Sequence, residues 1–279
     1  LGSLFGRFSS FWSRITIIPS SLPVALITGA SSGIGYATAL AFARHGVHVA
    51  AAARDAANLA ALTRDAAGLP GTILPLSADV RDLAAMRAAV AAAVEHFGRL
   101  DYGIANAGIG QRGSVVDSDW NDIEAVMRTN IDGVLHTIRA TVPVMRTQGG
   151  GHLVIVSSVV YNLTAPYAAT YSASKAFVSS LARSLRLELE PDNITVTDLR
   201  IGRVDTAFNQ RRLGAAGYAA RAPRLPVMTP DFVGEAIVRL CERRTSRAVG
   251  LRWLDRAIML ANALIPTVIG RRALKQYKV

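Results

Sequence analysis

Cysteine is almost absent from the chain: Cys241 stands alone among 279 residues. A disulfide within the chain is therefore impossible, and a metal site built on several thiolates is excluded. No metal is expected. Aromatic residues make up only 6%. No basic stretch interleaves them, and neither zinc spacing nor a recognition helix accompanies the charge, so no nucleic-acid partner is expected. Apolar runs are short. The longest candidate, 257–270, holds fourteen mostly apolar residues and is interrupted by Pro266. An ordinary membrane span needs about 20. The first residues carry no long apolar stretch with a small-residue cleavage site, which argues against a secretory signal. No interior linker rich in Pro, Gly or Ser divides the chain, so one domain is expected.

What is present is a globular composition, 51% hydrophobic with 23 glycines. The length suffices for one large core. The net charge of +11 is unevenly spread. From Arg243 to Val279 there are nine Arg or Lys and one acid; from Arg200 to Arg224 there are six Arg and one Asp. Solvated surface, an acidic substrate and an anionic membrane each fit such regions. Residues 1–22 form an N-terminal extension with Phe5, Phe8, Phe11, Trp12, two Arg and no acid. Residues 256–279 form a second extension, apolar and then basic through Arg271, Arg272, Lys275 and Lys278. Both are candidates for lying on a bilayer surface; the second can equally pack on a partner subunit. The expected location is cytoplasmic, with membrane association as an added option.

Between them, residues 23–255 alternate two kinds of segment. Short apolar runs at 24–28, 47–53, 72–76, 102–106, 152–157 and 194–199 read as strands. Helical stretches at 36–45, 56–67, 83–97, 119–145, 171–189 and 230–243 separate or follow them. Thr229 is the expected cap of the last, with Pro230 in its first turn. The alternation implies an α/β fold with a parallel sheet, and continuous apolar strands imply helices on both faces.

The first strand runs into Thr28-Gly29-Ala30-Ser31-Ser32-Gly33-Ile34-Gly35. Glycines there permit a sharp turn and close approach of backbone to a ligand. The helix that follows offers free N–H groups and its positive dipole end to a pyrophosphate. The Lys-Ser/Thr pair of an ATPase phosphate loop is missing. At the end of the second strand a carboxylate would hold the ribose of NAD. This chain has Arg54, which could grip a 2′-phosphate by a charge-assisted pair. Ser31 and Ser32 could donate to the same phosphate. Asp55 reads as a helix cap. The expected cofactor is therefore NADP(H).

Tyr171 and Lys175 are four apart in a helical stretch and share a face. An ordinary phenol titrates at about 10. A neighbouring ammonium is expected to lower that value and fit Tyr171 for proton transfer to a substrate oxygen. Ser157 or Ser158, at the end of the fifth strand, could hold the same oxygen.

Together these residues resemble the short-chain dehydrogenase/reductase family, in its NADP(H)-preferring subgroup, over roughly 23–243. The resemblance implies a doubly wound Rossmann-type sheet and a catalytic tetrad of Asn130, Ser158, Tyr171 and Lys175. Tyr171 would be the general acid in reduction, and Ser158 would bind the substrate oxygen. Lys175 would bind the nicotinamide ribose and support the phenolate. Asn130 would hold a water linking Lys175 to solvent. Asp79 and Val80 would contact adenine, and Asn106-Ala107-Gly108 matches the family's motif after the fourth strand. Gly202, Val204 and Thr206 would line the nicotinamide end. Ile201 stands where the family carries Pro, which leaves that bend without a fixed φ.

Pocket candidates are Ile109, Gly110, Val159, Val160, Tyr161, Tyr167, Arg203 and residues 207–225, with Phe208 and Tyr218 as lid candidates. Their apolar character suggests a hydrophobic ketone or secondary alcohol. A 3-oxoacyl thioester is the alternative substrate, and a non-catalytic nucleotide-binding interaction protein the alternative class. The resemblance favours a homodimer or homotetramer through 119–145 and 171–189.

Overall fold

A computed structural model describes residues 22–214 and 227–275. Seven strands form one sheet in which every pairing is parallel. They are β1 (Val24–Thr28), β2 (His48–Ala53), β3 (Ile73–Ser77), β4 (Tyr102–Ala105), β5 (Gly151–Ser158), β6 (Ile194–Ile201) and β7 (Ala248–Gly250). Their order is β3-β2-β1-β4-β5-β6-β7. The order reverses between β1 and β4, so a crevice opens at the carboxyl ends of those two strands. Six of the strands agree with the sequence expectation to within two residues at each end. The seventh, β7, was not expected, because three residues carry no readable periodicity.

Side chains alternate across the sheet as a pleat requires. Val24 and Leu26 enter one apolar layer with α3 (Leu83–Phe97), α5 (Gly133–Thr147) and α6 (Ala169–Glu188). Ala25 and Ile27 enter the other, with α1 (Gly33–Arg44), α2 (Ala56–Asp65) and α7 (Pro230–Glu242). The fold is thus one doubly wound domain with helices on both faces. Strand β2, HVAAAA, shows why a poor strand composition succeeds. Its alanines are buried between two paired neighbours and two helix layers, and that context overrides propensity.

Helix ends follow local chemistry. Asp82 caps α3 by accepting from the Ala84 and Ala85 N–H groups. Thr229 caps α7 by accepting from the Phe232 N–H, with Pro230 at the first position. The expected long helix after Asp119 is interrupted. The segment α4 (Trp120–Met127) passes through a π turn at Arg128–Asp132 before α5 begins. Nothing in helical periodicity marks that turn, which carries the buried Asn130.

The chain ends in α8 (Trp253–Leu264) and α9 (Pro266–Leu274), bent by 111° at Ile265. Among the described residues no single helix is long and apolar enough to cross a membrane. Leu26, fully buried in β1, anchors the core beside the crevice. Leu26→Ala should destabilise the protein by about 2–5 kcal/mol, read as a lower midpoint in chemical denaturation.

Candidate active site

The crevice is held open by one hydroxyl. Thr28 Oγ1 accepts from the backbone N–H of Asn106 at 3.0 Å and of Ala107 at 3.1 Å, and donates to the Ile104 carbonyl at 3.2 Å. The Asn106 side-chain amide donates to the Thr28 carbonyl at 2.9 Å. The loop after β4 is thereby clamped to the turn after β1. That turn needs glycine. Gly29 has φ +68°, and a Cβ on it would lie 2.9 Å from the Ala107 Cα. A Cβ on Gly35 would collide with the Gly29 carbonyl oxygen. Ser32, at the start of α1, makes no side-chain capping bond, so the first-turn N–H groups face the crevice uncapped. This cradle fits a pyrophosphate. Ser31 is half-buried and Ser32 exposed at its rim, Ile34 packs beneath it, and Thr206 crosses over Gly33.

Arg54 follows β2 with its side chain 66% exposed and Nη1 4.0 Å from Asp79 Oδ2. Asp79 is chiefly forked by Arg81, whose hydrogen bonds lower its pKa, with Arg54 adding to the effect. Asp55 caps α2 by accepting from the Asn58 N–H. Val80 is buried against Gly133, and its carbonyl lies 2.9 Å from His136 Nδ1.

Tyr171 and Lys175 rise on the first turns of α6. Lys175 is buried, and Nζ donates to the Val156 carbonyl at 2.9 Å, 6.0 Å from the centre of the Tyr171 ring. Burial pushes its pKa down to about 8, and the Asp198 carboxylate opposes that shift. Tyr171 goes the other way. Burial pushes it up to about 12, while a hydrogen bond with Ser158 and the charge of Arg212 pull it down. The expected ammonium-lowered phenol is therefore not found. Desolvation wins, because the Lys175 ammonium is turned to the Val156 carbonyl.

The two serines separate clearly. Ser157 is fully buried and donates to Asp198, whereas Ser158 bonds the Tyr171 side chain and donates to the Ile201 carbonyl. Only Ser158 stands with the phenol. Asn130 lies in the π turn, fully buried. Its Oδ1 accepts from the Ile109 N–H, and its Nδ2 donates to the Ile109 carbonyl and to Ser174 Oγ. It thus pins the loop after Gly108 to α6. A Cβ on Gly108 would sit 3.2 Å from Asn130 Oδ1 and 3.5 Å from Lys175 Nζ.

Two carboxylates that sequence reasoning passed over support this cluster. Asp198 is fully buried and accepts from Ser157, Ser179 and Arg200. Arg200 in turn lies 4.1 Å from the centre of the Tyr161 ring. An acid inside the apolar strand ITVTDL was the available signal, since a buried charge requires partners. Asp255, on α8, is buried and forked by Arg252; a Cβ on Gly202 would meet its Oδ1 at 2.6 Å. The loop from Gly202 to Thr206 is braced there and by bonds between Met228 and both Arg203 and Asp205. Ile201 simply continues β6 and pairs with Ser158.

Residues 109–113 and 207–214 meet over the cluster. Leu213 exchanges backbone bonds with Gly110 and Arg112, and Phe208 packs 5.8 Å from Tyr171, ring to ring. Tyr218 lies outside the described residues.

The short chain dehydrogenase family matches residues 23–215. The chain belongs to that family. Its members' chemistry makes it an oxidoreductase of carbonyl and alcohol groups that works with NAD(H) or NADP(H). It is 35% identical over 229 residues to the 3-oxoacyl-[acyl-carrier-protein] reductase of Thermotoga maritima, covering 81% of this chain and 93% of that protein. The 3-ketoacyl-ACP reductase structure from Sinorhizobium meliloti superposes with a TM-score of 0.72 at 32% identity, covering 82% of this chain and 97% of that one. The alcohol dehydrogenase of Thermococcus sibiricus, complexed with 5-hydroxy-NADP, gives 0.71 at 28% identity, covering 83% and 96%. A Brucella melitensis 3-ketoacyl-ACP reductase complexed with NADH gives 0.74 at 27% identity, covering 82% and 96%. Similar structures thus hold either nicotinamide cofactor.

Lys175 also makes the oxidoreductase's stability depend on pH. Its folded pKa of about 8 lies below the ordinary 10.5. Between these values the unfolded chain binds more protons, so stability rises with pH through that window. The gain is about 3 kcal/mol at roughly 1.4 kcal/mol per pH unit. Cys241, whose thiol is pushed up from its ordinary 9.0 by burial, acts in the opposite sense above that value, and Tyr171 does so above its ordinary 10.0. Denaturation midpoints at pH 8 and pH 10 should show a net rise smaller than the Lys175 gain, and Lys175→Met should abolish it.

Proposed function

We propose that this chain is a 3-oxoacyl thioester reductase that uses NADPH. Tyr171, with its pKa raised to about 12, supports the direction. At neutral pH the phenol is neutral and holds the proton that a ketone oxygen must receive. The Ser158 hydroxyl, turned away from the Ile201 carbonyl that it meets in this structure, would donate to the same oxygen. Lys175, with Nζ 6.0 Å from the ring centre, would supply positive charge beside the phenolate left after transfer, and solvent would supply the replacement proton. The glycine cradle of β1–α1 holds the pyrophosphate, Asn106 and Gly108 leave room for the rest of the dinucleotide, and Gly202, Val204 and Thr206 form its nicotinamide wall. Bound NADPH supplies a hydride to the carbonyl carbon. Asn130 fixes the floor of this arrangement through Ile109 and Ser174.

The choice of NADP(H) rests on Arg54, the exposed cation after β2 in the place where NAD-binding proteins carry an acid. The substrate class rests on the reductase from Thermotoga maritima, similar over 93% of its length. Arg211, which reaches Ser32, adds positive charge at the crevice rim, suited to an acidic carrier or a coenzyme phosphate. The second reading, a free hydrophobic ketone or secondary alcohol, is favoured by Phe208 packed on Tyr171. Residues 23–255 form the proposed catalytic unit, with 1–22 and 256–279 as extensions. We assign a homodimer or homotetramer to helices α4, α5 and α6, where Trp120, Met127, Phe177 and Leu187 stand exposed.

Cofactor fluorescence should show NADPH bound more tightly than NADH, and Arg54→Ala should erase roughly ten- to a hundredfold of that preference. NADH binding as tightly as NADPH in the parent would remove the role given to Arg54. In turnover assays, 3-oxoacyl thioesters should exceed free hydrophobic ketones in kcat/KM. Tyr171→Phe should cost about a hundredfold to ten-thousandfold in kcat while leaving cofactor binding intact. Full activity in that variant would refute the assignment.

A further inference from the structure

The hairpin of α8 and α9 presents a face that the catalytic unit does not use. In α8, Trp253, Ala257, Leu260 and Leu264 follow each other at helical spacing and are all exposed; Trp253 is 78% and Leu264 74% exposed. Asp255 and Asn262 lie on the opposite, buried side. Beyond α8, Ile265 at the bend and Val268 in α9 are also exposed. Arg271, Arg272 and Lys275 then follow Val268 at the spacing of one helix face, and all three are exposed. A soluble monomer seldom leaves such a patch bare.

Charge decides between the possible covers. A second copy paired α9 to α9 across a two-fold axis would set the same basic row against itself. An anionic bilayer reverses that sign: the apolar edge enters the acyl boundary, a Trp sits at headgroup level, and the basic row meets lipid phosphates. The hairpin is also fixed to the fold. Asn262 accepts from the Thr164 N–H at 3.1 Å and donates to the Asn162 carbonyl. Gly270 packs against Thr164, and Asp255 lies beneath Gly202. These contacts brace the loops that follow Ser158 and β6, both at the mouth of the site.

We propose that the α8–α9 hairpin is a docking surface for an anionic lipid bilayer, which holds the mouth of the active site beside the membrane. The surface is independent of the cofactor and substrate assignments, so its test uses binding alone. The full-length protein is sedimented with phosphatidylcholine vesicles, with and without phosphatidylserine, while Trp253 emission is followed against a Trp253→Phe control. Binding should require phosphatidylserine, weaken with salt, and shift Trp253 emission to the blue. The paired change Leu260→Glu/Leu264→Glu, and separately Arg271→Glu/Arg272→Glu, should each weaken binding at least about tenfold. Unchanged thermal melting and cofactor binding would show that both variants remain folded. Three results would overturn the proposal. One is failure of the folded parent protein to bind either vesicle. Another is binding that ignores phosphatidylserine and both variants. The third is self-association, seen by sedimentation equilibrium, that Leu260→Glu/Leu264→Glu abolishes; the cover would then be a second copy.

Discussion

At the carboxyl end of β1, the Thr28 hydroxyl ties two loops that leave the sheet in opposite directions. The strand order reverses there, so the connections after β1 and β4 pass to opposite faces and leave a crevice. Thr28 supplies the acceptor for the Ala107 N–H and shares the Asn106 N–H with the Ile104 carbonyl. Asn106, returning a bond to the Thr28 carbonyl, fixes the glycine turn from the other side. The glycine turn before α1 and the loop that leads to Gly108 are fixed to each other at this junction.

A second tier of polar contacts sits behind the reacting side chains. Lys175, Asp198 and Asp255 are all buried, and each has a partner: Lys175 the Val156 carbonyl, Asp198 two hydroxyls and a guanidinium, Asp255 the fork of Arg252. Buried charges without such partners would cost far more than folding gains. Asp198 also raises the pKa of Lys175 against the effect of burial. The site is therefore an ammonium and a neutral phenol, each shifted by desolvation and each corrected by a neighbour. A neutral phenol can deliver a proton to a carbonyl oxygen, as the reductase proposed here requires.

The two ends of the site differ in what supports them. The nucleotide side proposed here is built on sheet and helix termini. On its substrate side, loops after β5 and β6 are braced from outside by α8 through Asp255 and Asn262. The same helix turns an apolar face outward. Shape at the reacting carbon and contact at the molecular surface thus share one element.

Much of this was legible in the residues alone. Six strands, the glycine turn, Thr229 with Pro230, and the Tyr171–Lys175 pair follow from short-range rules: apolar periodicity, left-handed backbone at glycine, and capping by side-chain oxygen. Those rules act within a few residues, and a sequence displays them directly. Other features depend on what burial and distant pairing bring together. Short-range rules do not separate Ser157 from Ser158, and only the family resemblance singled out Ser158; alternation across the pleat sends one to Asp198 and the other to Tyr171. The π turn at Asn130 answers a bond partner, Ile109, twenty-one residues away. The direction of the Tyr171 shift was misread because spacing shows a neighbouring charge but not the loss of water. Periodicity, turns and caps were therefore determined by the sequence itself. Which hydroxyl meets the phenol, and which charges are stripped of solvent, was decided only when the sheet closed under its two layers of helices.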